Sequence, residues 1–88
     1  MTPEHRLKRL CFRAWHRGTK EADIMIGGFF DAHHLTWSAA EMDWFEHLLE
    51  EQDVDIMAWA LGTAAPPARY AGPLLEQLRI VNYIKHAE

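Results

Sequence analysis

An all-α fold, a compact bundle of about five short helices, is what this 88-residue sequence predicts. Three observations carry that expectation. Apolar residues recur at three- and four-residue spacing along most of the chain, and no stretch alternates in the way that marks a strand. Helix-start chemistry appears in Thr2-Pro3-Glu4 and again in Ser38-Ala39-Ala40-Glu41. Gly18 and Gly62 follow two of the periodic stretches, where a left-handed residue ends a helix.

The first helix begins with a hydroxyl cap, a proline at the first helical position and an early acid. Its apolar stripe is Leu7, Leu10, Cys11, Ala14 and Trp15, on an otherwise basic surface. Gly18 is expected to cap it, with Arg13, His16 and Arg17 in a last turn that the helix dipole favours for cations. Glu21 and Asp23 belong to the first turn of the second helix, whose stripe is Ala22, Met25, Ile26, Phe29 and Phe30. Gly27-Gly28 inside that helix costs about 1 kcal/mol per residue relative to alanine, which predicts close approach of another backbone. Ser38 and Glu41 form a capping box for the third helix, with Trp37 and Met42 placed as a hydrophobic staple and Phe45, Leu48 and Leu49 facing inward. Asp53 is expected to cap a short fourth helix carrying Ile56, Trp59 and Ala60, which Gly62 ends. A flexible loop over about 63–72 contains Pro66-Pro67. Pro73 opens the last helix, with Leu74, Leu75, Leu78 and Val81 inward.

Composition places these elements in one domain spanning 1–88. Apolar residues make up 49% of the chain and include four tryptophans, enough for a core without staples. The single cysteine, Cys11, has no partner for an intramolecular disulfide, which suits a reducing compartment. No apolar run approaches the roughly 20 residues that span a bilayer, and the first six residues lack a hydrophobic signal region. The expected location is the cytoplasm, without membrane insertion. Net charge is −4, unevenly spread. Residues 1–20 hold six basic side chains against Glu4, a net +5, and residues 21–88 hold three against twelve acids, a net −9. Such a split serves either a partner at the basic end or pairing of a basic helix with acidic ones inside the molecule. Nucleic acid is not the expected partner, because the acidic remainder repels phosphate and the basic face carries no interleaved aromatics.

Catalytic and metal-binding patterns are missing. The chain contains no GxSxG, Walker loop, GxGxxG or CxxC. His33 and His34 are neighbours, so their side chains diverge by about 100° around a helix, and no HxxxH spacing supports a metal site. Cys11 lies on an apolar stripe and reads as core, since a reactive thiol needs exposure and a depressed pKa. The tryptophans read as core or staple residues, and Asp53 and Asp55 as caps and solvated charges. No catalytic residue, metal site or stably bound cofactor is expected.

The stretch His16-Arg17-Gly18-Thr19-Lys20-Glu21-Ala22-Asp23 has two readings. A basic last turn, a glycine and an acidic first turn are what two consecutive helices need. The same corner places Arg17, Lys20 and Glu21 side by side as a docking feature, because guanidinium and carboxylate recognise partners geometrically. Arg17-Gly18-Thr19-Lys20-Glu21 also matches the RGxxE motif of the SdhE family of succinate dehydrogenase flavination factors. The resemblance runs over about residues 6–84. It includes Trp15 to Glu21, Asp23, Gly27, Phe29, Asp31-Ala32-His33, Ser38, Glu41, Phe45, Leu48-Leu49, Asp53 to Ile56 and Trp59. The sequence departs from the family's pattern at Ala22, where many members have leucine, and at Val54, where many have proline.

The resemblance implies a bundle of about five helices that binds the flavoprotein subunit of succinate dehydrogenase, and in many members that of fumarate reductase. It implies promotion of covalent FAD attachment to a histidine of that client, with FAD as the client's cofactor and this chain as a chaperone rather than an enzyme. The residues expected to meet the partner are Arg17, Gly18 and Glu21, assisted by Lys20 and Arg13. A generic helical adaptor of another enzyme complex is the alternative reading.

Overall fold

The computed structural model describes residues 2–80. Its elements follow one another as α1 (Pro3–Trp15), α2 (Lys20–His33), a 3-10 turn (His34–Thr36), α3 (Ala39–Leu48), α4 (Asp53–Leu61) and α5 (Pro73–Ile80), with no strand among the described residues. The five expected helices are therefore present, and the 3-10 turn is an addition that the periodicity did not signal. Val81, expected on the inner face of α5, lies outside the described residues.

Local chemistry starts the helices largely as expected. The Thr2 hydroxyl accepts from the His5 N–H. At α3 the capping box is complete: the Glu41 N–H donates to Ser38 Oγ at 3.2 Å, and the Ser38 N–H donates to Glu41 Oε1 at 2.8 Å. Thr19 caps α2 by accepting from the Ala22 N–H at 3.2 Å. Two boundary expectations are corrected. The residue capping α4 is Gln52, without a side-chain hydrogen bond, while Asp53 is the first helical residue and spends its carboxylate on Arg17. Helix α1 ends at Trp15 with His16 as its cap, so Arg17 and Gly18 lie beyond the helix rather than in its last turn and cap. Gly62 does close α4 in the left-handed conformation, at φ 82°.

Helices α1 and α2 run antiparallel. Trp15 meets Gly27, and Cys11 feels the charge of Asp31, so contacts move down one helix as they move up the other. A Cβ on Gly27 would sit 2.3 Å from Trp15 Cδ2. Close approach at Gly27 was expected, but the neighbour is an indole face, not a second backbone. Helix α3 lies alongside α1 in the same direction, joined to it by ion pairs of Arg6 with Asp43 and Glu46, Arg9 with Glu46, and Arg13 with Glu50 just beyond the end of α3. The basic helix is thus balanced internally.

The core gathers Leu10 and Ala14 from α1, Met25, Ile26, Phe29 and Phe30 from α2, Phe45 and Leu48 from α3, Ile56 and Trp59 from α4, and Leu75 and Leu78 from α5. An aromatic cluster centres on Phe29, Phe30, Trp37 and Phe45, with ring centroids 5.0–6.0 Å apart. Tyr70, from the 63–72 connection, is also core. It stacks on Trp59 at 5.5 Å, and its hydroxyl donates to Glu51 Oε2 at 2.6 Å. That anchor ties Tyr70 of the expected flexible loop into the core.

Candidate partner-docking site

The α1–α2 connection is a corner held from inside. Gly18 has φ 116°, a conformation L side chains rarely adopt, and nothing lies within 4 Å of the position its Cβ would take. Glycine is required there by backbone conformation and not by crowding. The residue before it is fixed at two points. The Arg17 N–H donates to Asp23 Oδ1 at 2.5 Å, which closes the turn onto the first turn of α2. The Arg17 side chain leaves in the other direction, where Nε donates to Asp53 Oδ1 at 2.7 Å and an Nη donates to the Glu51 carbonyl at 3.2 Å.

Arg17 is consequently only 11% exposed at its side chain, and Asp53 25%. The sequence reading had Arg17 project from an exposed corner beside Lys20. Instead its guanidinium spans 36 residues of sequence to bind the start of α4. Asp53, read as a cap or a solvated charge, is its counter-ion. A partly desolvated, charge-assisted pair of this kind is stronger than an exposed one. Arg13 is likewise engaged, with Glu50. Gly18, Lys20 and Glu21 are exposed, and neither Lys20 nor Glu21 forms an ion pair with another described residue. The surface of the corner therefore consists of a glycine backbone, a free cation and a free carboxylate.

Two grooves flank it. One, of about 570 Å³, is lined by Trp15, His16, Gly18, Thr19, Lys20, Asp23 and Ile24. The other, of about 430 Å³, runs along α4 and shares Thr19 with the first. Sequence reasoning missed three contributors: Thr19 as the cap of α2, Asp23 as the carboxylate closing the turn, and Asp53 as the anchor of Arg17. The hydroxyl just ahead of Lys20-Glu21 was a legible cap signal. The two aspartates carried no local pattern that distinguished them from other acids at helix starts.

Elsewhere several titratable groups are engaged within the bundle. Burial, with the charge of Asp31 adding to it, pushes the Cys11 thiol up, away from the thiolate that nucleophilic chemistry needs. His16, His34 and His47 each direct Nδ1 to the carbonyl four residues earlier, at 2.7–2.9 Å. No group of three or more His, Cys, Asp or Glu is placed to hold a metal among the described residues. No described helix is long and apolar enough to cross a membrane.

A small helical bundle with a braced, glycine-centred corner on its surface is the class that the described residues define. Comparison with known proteins gives that class a family. The profile of the family described as "Flavinator of succinate dehydrogenase" matches residues 8–82. The chain is 42% identical over 73 residues to the "FAD assembly factor SdhE" of Acetobacter pasteurianus, covering 83% of this chain and 67% of that protein. It is 38% identical over 81 residues to the mitochondrial "Succinate dehydrogenase assembly factor 2" of Cryptococcus neoformans, covering 91% of this chain and 43% of that protein. A similar mitochondrial factor of Mycosarcoma maydis is 35% identical over 68 residues, 77% of this chain and 29% of that protein. The chain thus spans two thirds of the bacterial relative's length and less than half of the fungal ones. The chain belongs to the family of succinate dehydrogenase flavinators.

Proposed function

We propose that this chain is an assembly chaperone that binds the flavoprotein subunit of succinate dehydrogenase and promotes covalent attachment of FAD to it. The observation that supports this reading most is the family match over residues 8–82, which includes a fully formed RGxxE corner. In this reading the exposed Gly18 backbone, Lys20 and Glu21 press against the client. Arg17 serves the contact from behind by fixing the turn, and Arg13 supports the neighbouring surface of α1. Docking biases the immature flavoprotein toward a geometry in which its own histidine and the flavin are aligned, an orientation effect that needs no catalytic group from the chaperone.

The engaged histidines and the raised Cys11 thiol are consistent with that division of labour, in which FAD remains the client's cofactor. Fumarate reductase, whose flavoprotein subunit poses the same chemical task, is a second client in this proposal. Affinity capture from a cell lysate, followed by mass spectrometry, tests it. The expected dominant partner is a flavoprotein subunit of succinate dehydrogenase or fumarate reductase. Reproducible capture of an unrelated complex, with neither flavoprotein, overturns the reading in favour of a generic adaptor.

A further inference from the structure

Helix α4 has a second apolar face. Ile56, Trp59 and Ala60 point into the core, as an amphipathic helix requires. Val54, Ala58 and Leu61, at helical spacing of three and four, form another apolar stripe facing outward, beside Met57, which is half-buried against the core. Val54 is 69% exposed and Leu61 57%, two of the four large hydrophobic residues exposed in the described chain. A helix that is apolar on both sides is ordinarily covered on both sides. The stripe lines the 430 Å³ groove together with Asp53, Thr63 and Thr19.

Two of those residues tie the groove to the corner. Thr19 lies within the RGxxE sequence, and Asp53 holds Arg17. The inward Arg17 side chain is therefore what brings the start of α4 against the corner, making one continuous surface out of a polar patch and an apolar stripe. Size decides what the stripe is for. A nine-residue helix is about 13 Å long, so one face of it falls well short of the roughly 800 Å² per partner that a specific association requires. Alone it cannot hold a second copy of this chain. As an apolar extension of a contact that already includes the corner and the groove on its other side, it has the size to matter.

We infer that the outer face of α4, centred on Val54 and Leu61, is the apolar half of the docking surface, and that it receives an apolar segment of the same flavoprotein subunit that meets the corner. This rests on the function proposed above. The polar half then supplies direction and the apolar half most of the hold, the usual division between rim and centre of an interface.

The test compares Val54→Glu and Leu61→Lys with the wild-type chain and with Gly18→Arg, measuring affinity for purified flavoprotein subunit and urea stability of each isolated variant. The acid is placed at the helix start and the base at its end, where the dipole favours them, so both variants are expected to fold normally. Because their charges are opposite, a loss common to both reflects apolar burial and not steering. The expected result is binding at least about tenfold weaker for each, with stability unchanged. Wild-type-like binding by both variants, alongside loss in Gly18→Arg, overturns the inference and leaves the proposed function standing. No binding by the wild-type chain overturns both. A common fall in stability would mean that the chain covers this face itself. A wild-type self-association lost in both variants, with client binding intact, would mean that a second copy does. Either result contradicts the assignment.

Discussion

Arg17 and Glu21 stand at the two ends of one motif, yet one side chain turns inward and the other is exposed, and single substitutions separate them. Arg17→Ala removes the guanidinium that binds Asp53 and the Glu51 carbonyl, leaving a mostly buried acceptor without its donor. Such losses cost about 1–3 kcal/mol, measured by urea denaturation, and Asp53→Ala is expected to fall in the same range. Both variants should also bind the flavoprotein less well, because the turn before Gly18 loses its brace. Glu21→Ala removes an exposed carboxylate and is expected to leave stability within about 0.5 kcal/mol while weakening client binding more than Lys20→Ala does. A stable Arg17→Ala with a selective binding defect would instead return Arg17 to the contact surface. Tyr70 gives a second test at this scale. Burial, reinforced by the hydrogen bond to Glu51, pushes its phenol up to about 12. Below about pH 10 the tyrosine is protonated in both folded and unfolded chains. Between pH 10 and 12 the unfolded chain releases the proton and the folded one keeps it, so this contribution to stability declines as pH rises and is gone above 12. Tyr70→Phe should decline less steeply than wild type over that interval in pH-dependent unfolding. Of these residues, the positive φ at Gly18 and the first-turn place of Glu21 were legible in the sequence because both are local features. The direction of Arg17 was not, since its partner lies 36 residues away and a long side chain's path is set by tertiary packing.

At the scale of elements, Gly27 sets two effects of opposite sign against each other. Helix propensity favours alanine over glycine by about 1 kcal/mol. Packing opposes it: the new Cβ would stand 2.3–2.7 Å from three atoms of the Trp15 ring system, a rigid neighbour on the facing helix. Overpacking of this kind costs about 1–3 kcal/mol, so Gly27→Ala is expected to lower the unfolding midpoint despite the better helix former. A raised midpoint would show that the α1–α2 contact yields easily. The helices themselves were largely legible, because caps and apolar stripes are short-range signals: the capping box at Ser38 and the stop at Gly62 lie where the sequence put them. The C-terminal end of α1 and the cap of α4 were displaced by one or two residues. In both places an aspartate serves Arg17, through the turn or through the ion pair, and a tertiary demand shifted the local boundary. Tyr70 was missed for a related reason: a buried aromatic inside a proline-containing connection has no periodic neighbours to announce it.

Across the described residues much of the charge split resolves into internal pairing. Arg6, Arg9 and Arg13 meet the acids of α3 and its C-terminal end, and hydrogen bonds with Asp43 and Glu46 push the Arg6 guanidinium further up. This leaves the corner, which sequence and geometry both mark, and the outer face of α4, which the geometry alone brings out. If the chain acts as a chaperone, the client must supply the chemistry. Replacing any one of this chain's histidines, or Cys11 by serine, is then expected to leave covalent flavin formation intact in every variant that folds and binds the client. A folded, client-binding histidine variant without flavination would make this chain a participant in bond formation.

The central claim is that docking through the Gly18 corner promotes flavination, and one assay addresses it directly. Purified apo-flavoprotein subunit and FAD are incubated with the wild-type chain or with Gly18→Arg, and covalently bound flavin is read as fluorescence that survives denaturation. Gly18→Arg removes no core contact and meets no neighbour at the Cβ, so circular dichroism should show a folded bundle, with a backbone cost of about 1–2 kcal/mol for the left-handed position. Accelerated covalent flavin formation is expected with the wild-type chain, and none above background with the folded variant. Equal acceleration by both proteins, or none by the wild type, would contradict it.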